Sequence, residues 1–165
     1  MEVILVSPLK PFRIIIAKTV PYLFVSLLNI ISILLLSVYV LDVPIVGSLW
    51  LLMVESTLFT ITSLSVGILI SNSAKTQQTA MFASLMSLFL PTLLFSGFLF
   101  PIENMPVPLQ VLSNIVPSKW YYIIIKNIMI KGLGFSAIWK ETLILVGMTA
   151  ALLGISIYKF KIRLA

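Results

Sequence analysis

The chain has 165 residues, 60% of them hydrophobic and 10% charged, with a formal net charge of +6 and neither cysteine nor histidine. Soluble domains are about 45–50% apolar and about 25% charged, so this chain cannot cover itself with polar surface in water. The missing histidine removes Ser/His dyads and the usual zinc sites, and the missing cysteine removes disulfides, thiolate metal sites and thiol nucleophiles together.

The opening MEVILVSPLKPFR has no basic region ahead of its short apolar run, and Pro8 and Pro11 cut that run off, which makes it a poor signal peptide. Four apolar blocks follow, expected to span over 19–41, 48–70, 79–100 and 137–158, each close to the roughly 20 residues that a helix needs to cross a hydrocarbon core. Blocks such as LLNIISILLLSVYVL are apolar on every side, whereas a barrel strand alternates apolar and polar residues. Helices also satisfy their own backbone in lipid. The expected class is an all-α integral membrane protein in a single membrane domain over 1–165. The first connection, DVPIVGS, reads as a tight turn, and the second, SNSAKTQQ, is polar and carries Lys75.

The third connection, 101–136, is the long one. Ser96 and Gly97 thin the helix before it, Pro101 discourages continuation, and IENMP makes a turn. The stretch VPLQVLSNIVP that follows is too short and too interrupted to span, yet more apolar than a solvated loop requires. It reads as a short re-entrant or interfacial helical element, tolerated at membrane depth where it is buried in protein or lines a cavity. Gly97, Pro101, Glu103, Asn104 and Pro106 lie in this stretch, with Glu103 and Asn104 read as turn and capping residues.

Orientation is read from basic flanks, which stay in the cytoplasm. With both termini inside, Lys10, Arg13, Lys18, Lys75, Lys159, Lys161 and Arg163 are cytoplasmic, against Lys119, Lys126, Lys131 and Lys140 outside. The bias is seven to four. Because these charges are split among flanks and not gathered on one face, no nucleic-acid partner is expected; the lipid bilayer is the partner they address.

Within the blocks, Glu55 stands about seven residues into the second span. A charge at a bilayer centre costs about 2.5–3.5 kcal/mol on insertion scales while each Leu or Ile returns about 0.3–0.6, so the helix still inserts. Glu55 is either a functional carboxyl or a hydrogen-bonded one facing Ser26, Asn29 or Tyr22 of the first span. Asn29 itself is expected to make an interhelical hydrogen bond worth about 0.6 kcal/mol. Ser56, Thr60, Ser63 and Gly67 share one helical face, as do Gly147, Ala151 and Gly154, and small residues let helices approach closely. Pro91 is expected to kink the third span. One aspartate gives no aspartyl pair, and no G-x-x-x-x-G-K-[ST] occurs, KGLGFS lacking both spacing and lysine, so the chain has no phosphate-binding loop of that kind. A Ser/Lys arrangement stays open on counting alone.

MEVILVSPLKPFRIIIAKTVPY together with SGFLFPIENMPVPLQVLSNIVPSKWYY resembles the permease subunit of ABC type-2 exporters, in the branch of bacterial multidrug-type permeases. Glu2, Val6, Ser7, Pro8, Leu9, Lys10, Pro11, Ala17 and Lys18 match the family's stretch from a cytoplasmic coupling helix into a membrane helix. Ser96, Gly97, Phe98, Phe100, Pro101, Ile102, Glu103, Asn104, Met105 and Pro106 match its turn after the fifth helix, and SNSAKTQQTAM fits a cytoplasmic link.

The resemblance implies that residues 1–13 end the coupling helix, with Glu2, Val6, Ser7, Pro8, Leu9, Lys10 and Pro11 docking on an ABC ATPase subunit. It implies that the stretch holding Gly97, Pro101, Glu103, Asn104 and Pro106 caps the external end of the pathway. It implies no cofactor on this chain, ATP and magnesium being held by the partner, and so no enzyme activity of its own. It also implies a second permease subunit, identical or different, a periplasmic adaptor as a further partner, and residence in a bacterial or archaeal cytoplasmic membrane. Family subunits have six membrane helices, so Met1 reads as an internal methionine and the sequence as the C-terminal part of a longer subunit. The expected function is a permease moving an amphipathic or lipid-like substrate or drug, with Glu55, Asn29, Ser56, Thr60 and Ser63 as translocation or packing residues. The alternative is a small proton-coupled secondary transporter in which Glu55 takes up and releases a proton; a remnant that inserts without assembling is the third.

Overall fold

The computed structural model describes residues 11–43, 45–74 and 76–164. Among these the secondary structure is helical throughout. Helix α1 covers Pro11–Tyr39, α2 Leu49–Ser73, α3 Gln77–Phe95, α4 Val107–Ser113, α5 Pro117–Ile125 and α6 Phe135–Leu164. Four stretches are long and apolar enough to cross a membrane: Thr19–Tyr39, Leu49–Ser73, Gln77–Phe95 and Phe135–Tyr158.

Local chemistry sets the ends. Ser48 caps α2 by accepting the Leu51 N–H, and Thr76 caps α3 by accepting that of Thr79. Asp42 stands at φ 50, a left-handed position that a short polar side chain tolerates, and it turns the chain after α1. The third span stops at Phe95 and not at Phe100 as expected. Gly97 takes φ +86 just after the helix, Ser96 Oγ accepts the Phe98 N–H, and the backbone leaves the helix there. Pro91 is accommodated by a π turn over Leu85–Phe89: Pro91 has no N–H to give to residue 87, and the wider turn just before it loosens the ladder at that point.

The largest departure from expectation is α5. One short re-entrant or interfacial helical element is expected within 101–136, and α5 is a second helix there: it starts on Pro117 at its first position and runs on through a π turn over Lys126–Ile130. With α2 and α6 it forms the core: Leu52, Ile124, Ile128, Ile138 and Leu145 are buried together. α1 lays Leu34 against this core and turns most of its apolar surface outward.

α2 and α6 run in the same direction. Their side-chain hydrogen bonds join Glu55 to Thr142, Thr62 to Thr149 and Asn72 to Ser156, residue pairs 87, 87 and 84 apart, so both helices advance together. α3 returns between them, so the stretch from Ser96 to Gly134 begins and ends at one end of the bundle, the end where α2 starts. α4 and α5 therefore make a hairpin and not a crossing. Val46 N–H donates to Met129 O at 3.1 Å at that end, Tyr121 lies beside Ser56 and Phe59, and Pro117 lies at the level of Ser63. Ser63 is 14 residues beyond Leu49, about 21 Å along the helix at 1.5 Å per residue. The hairpin thus turns back deep among the long helices, and its tip is locked. Lys119 Nζ donates to Asn114 Oδ1 at 2.6 Å and Ser113 Oγ at 3.1 Å, and the Trp120 indole N–H donates to Asn114 O at 3.0 Å.

Candidate functional site

Two features meet on the inner face of α2. The first is a polar cluster. Glu55 is 1% exposed; its Oε1 accepts the Thr142 hydroxyl at 2.8 Å, and its Oε2 is buried without a hydrogen-bond partner. One residue on, Ser56 Oγ accepts the Tyr121 hydroxyl at 2.8 Å and donates to Leu52 O at 2.7 Å, while the Tyr121 ring stacks on Phe59 with centroids 4.1 Å apart. The cluster thereby ties α2 to α6 through Thr142 and to the hairpin through Tyr121.

Glu55 does not face α1. Tyr22 is 66% exposed and Asn29 is exposed as well, both on the outward side of that helix. The reason is register. Leu52, Glu55, Thr62 and Ser65, buried at successive spacings of three, seven and three, form the stripe pressed into the bundle, and Glu55 belongs to it. The glycine faces also differ from expectation: a Cβ added at Gly67, Gly147 or Gly154 would meet nothing within 4 Å, so these glycines do not bring helices into close approach. The tight interface is lined by hydroxyls instead. Thr142, Thr149 and Ser156 recur every seven residues along α6, a spacing visible in the sequence.

The second feature is a cavity of about 540 Å³ below the hairpin tip, walled by α2, α3, α6 and residues Leu112–Ser118. Its polar lining consists of Ser63, Ser87, Thr92 and Ser118, and none of the described residues lining it is charged. Thr60, by contrast, spends its hydroxyl on Ser56 O of its own helix.

At the end where α2 starts, Gly97 packs against Ile102 and Tyr122, and Phe98 meets Tyr122 edge-on at 6.3 Å. Pro101 and Pro106 bracket a 3₁₀ turn over Ile102–Asn104, in which Glu103 and Asn104 are exposed. Asn104 also borders a smaller apolar hollow with Phe95 and Leu109. Structure therefore brings Ser56 and Ser63 to the inner features and leaves Asn29 apart. Glu2, Val6, Ser7, Pro8, Leu9 and Lys10 lie outside the described residues, and Pro11 opens α1. Among the described residues no group of three or more Asp or Glu could hold a metal ion.

Comparison with known proteins agrees with this architecture. The family model described as ABC-2 family transporter protein matches residues 1–158. The chain is 30% identical over 164 residues to the probable multidrug ABC transporter permease YbhS of Escherichia coli K12, covering 99% of this chain and 44% of that protein. It is 33% identical over 150 residues to the probable multidrug ABC transporter permease YbhR of the same organism, with 91% and 40% covered. A third relative, the inner membrane transport permease YhhJ of that organism, is 30% identical over 162 residues, with 98% and 43% covered. The chain thus spans less than half the length of these relatives. No solved structure matches it. On a family match over nearly its whole length, carried by a chain whose described residues include four helices able to cross a membrane, this protein belongs to the ABC-2 family of transporter proteins.

Proposed function

We propose that this chain supplies part of the translocation pathway of an ATP-driven exporter, moving an amphipathic substrate or drug outward through the bacterial cytoplasmic membrane. The observation that carries the reading is the family match over residues 1–158, which includes both the opening motif and the hairpin. The names of the relatives, two of them probable multidrug permeases, support the substrate class.

In this reading ATP and magnesium are held by a separate ABC ATPase, and Glu2 to Pro11 form the contact that passes its movement to α1. The subunit works with a second permease copy, identical or different, and an external adaptor continues the path. Both termini are cytoplasmic, which puts the hairpin at the external end. α2, α5 and α6, tied by the Glu55 and Ser56 bonds, act as one rigid body, and α3, which contributes nothing to the buried core, is the helix free to move against it. The hydrogen bonds between α2 and α6 are worth only about 0.6 kcal/mol each in a membrane, so close packing of the Ile and Leu core carries most of that rigidity.

The test is co-expression of the chain, together with any permease sequence adjoining it in its gene, with the ABC ATPase encoded beside it. ATP turnover is expected to rise severalfold when an amphipathic drug is added, and the rise is expected to vanish when Glu2 to Pro11 is scrambled while the two proteins still reach the membrane. Stimulation that survives the scramble would remove the coupling role.

A further inference from the structure

We propose that the cavity below the hairpin tip is a binding site, within one subunit, for a single neutral amphipathic molecule whose hydrogen-bonding head is held by Ser118. The proposal deepens the export reading and rests on it for the ligand's onward route, though binding itself needs no ATPase.

Ser118 is 5% exposed, and its Oγ is buried with no hydrogen-bond partner among the described residues. That is unusual for a helical hydroxyl in this protein. Ser56, Thr57, Thr60, Thr62, Ser65, Ser84, Ser87 and Thr149 each donate to the carbonyl four residues back. Ser118 sits at the second position of α5, where no helical turn precedes it, and the carbonyl four residues back, that of Asn114, takes the Trp120 indole N–H instead. The hydroxyl therefore borders the cavity with its hydrogen-bonding capacity unspent, and an unmet buried polar group costs about 1–3 kcal/mol unless something meets it.

The remaining walls define the ligand. Phe59, Leu88, Ile115 and Leu152 make an apolar surround, and Met148 adds a side chain that reshapes easily. With no charged residue in the lining, an ion would enter without a counter-charge, which excludes ammonium and phosphate heads. A volume of about 540 Å³ falls within the roughly 300–1,000 Å³ of small-molecule sites, and would admit only about one turn of a helix about 10 Å across. The occupant is thus a drug-sized or fatty molecule with an uncharged hydroxyl or carbonyl.

The experiment uses the chain reconstituted in phosphatidylcholine nanodiscs and a twelve-carbon alcohol carrying a mid-chain diazirine, with photolabelled peptides mapped by mass spectrometry. Saturable labelling is expected at Phe59, Ile115 and Met148. Ser118→Ala is expected to weaken the apparent affinity about fivefold, the effect of one neutral hydrogen bond, without lowering thermal stability, because it removes an unmet hydroxyl. Ala151→Trp, which fills the cavity from α6, is expected to abolish the site while labelling of outward-facing α1 persists. Diazirine probes ending in trimethylammonium or in a plain methyl are expected to label outward faces only. Labelling confined to outward faces, or an unchanged affinity in Ser118→Ala, would overturn the proposal, and equal labelling by the methyl probe would make the occupant a lipid chain. Intact labelling without drug-stimulated ATP turnover would instead count against export, so the two failures are separable.

Discussion

Gly47→Ala is expected to lower the stability of the protein by about 1–3 kcal/mol, the cost of overpacking a well-filled site. A Cβ at Gly47 would stand 2.4 Å from Ile128 O and 3.1 Å from the Ile128 carbonyl carbon. Neither atom can rotate away. Ile128 is fully buried in the core and belongs to the π turn, and the neighbouring Val46 N–H already holds Met129 O at 3.1 Å. The methyl must therefore push the start of α2 off the end of the hairpin. Gly132, at φ +64, is the secondary weak point; an added Cβ there meets Val46 Cγ1 at 2.8 Å, but Val46 is exposed and its side chain can yield. Gly67→Ala, Gly147→Ala and Gly154→Ala serve as controls, each in a helix with open space and each expected to be neutral or to gain up to about 1 kcal/mol. Thermal unfolding in a mild detergent, followed by circular dichroism, ranks the four.

The second large effect is an asymmetry between Glu55 and Thr142. Thr142 has a single hydroxyl proton and two acceptors in reach, Glu55 Oε1 at 2.8 Å and Ile138 O at 3.0 Å. Glu55→Leu leaves Thr142 satisfied by Ile138, removes the unmet Oε2 and fills a similar volume, so it is expected to be neutral or stabilising. Thr142→Val does the reverse: it leaves both carboxyl oxygens without a partner and is expected to cost about 1–3 kcal/mol. The double variant is expected to recover most of that loss. Unfolding free energies in bicelles for the three variants check it, and a Thr142→Val as stable as the wild type would show that Glu55 finds another partner.

Much of this architecture was legible in the sequence, for a physical reason. Hydrocarbon imposes length and composition on a spanning helix, and the four apolar blocks satisfy both, so all four appear within a few residues of their expected limits. The turn after the third helix was equally legible, because Gly97 and the prolines punctuate the backbone locally. Two things were not. The helix over Pro117–Ile125 was hidden because two thirds of its residues are large and apolar in a segment too short to span, and only packing on α2 and α6 gives them a face. The partner of Glu55 was hidden because it depends on α2 and α6 lying side by side, 87 residues apart in the chain. The seven-residue recurrence of Thr142, Thr149 and Ser156 was the available signal, and the glycine spacing drew attention to the wrong face.

Because the chain contains no cysteine, single cysteines placed in it report without background. The account turns on α2 and α6 running in parallel with the hairpin returning to one end. Cysteines at 46, 103 and 133 should all react with a membrane-impermeant maleimide applied from one side of sealed vesicles. One at 77 should react only from the other, and one at 112, near the tip, should be shielded from both. Labelling of 133 from the side opposite to 46, or of 112 as readily as 103, would contradict the hairpin and with it the shape of the proposed pathway.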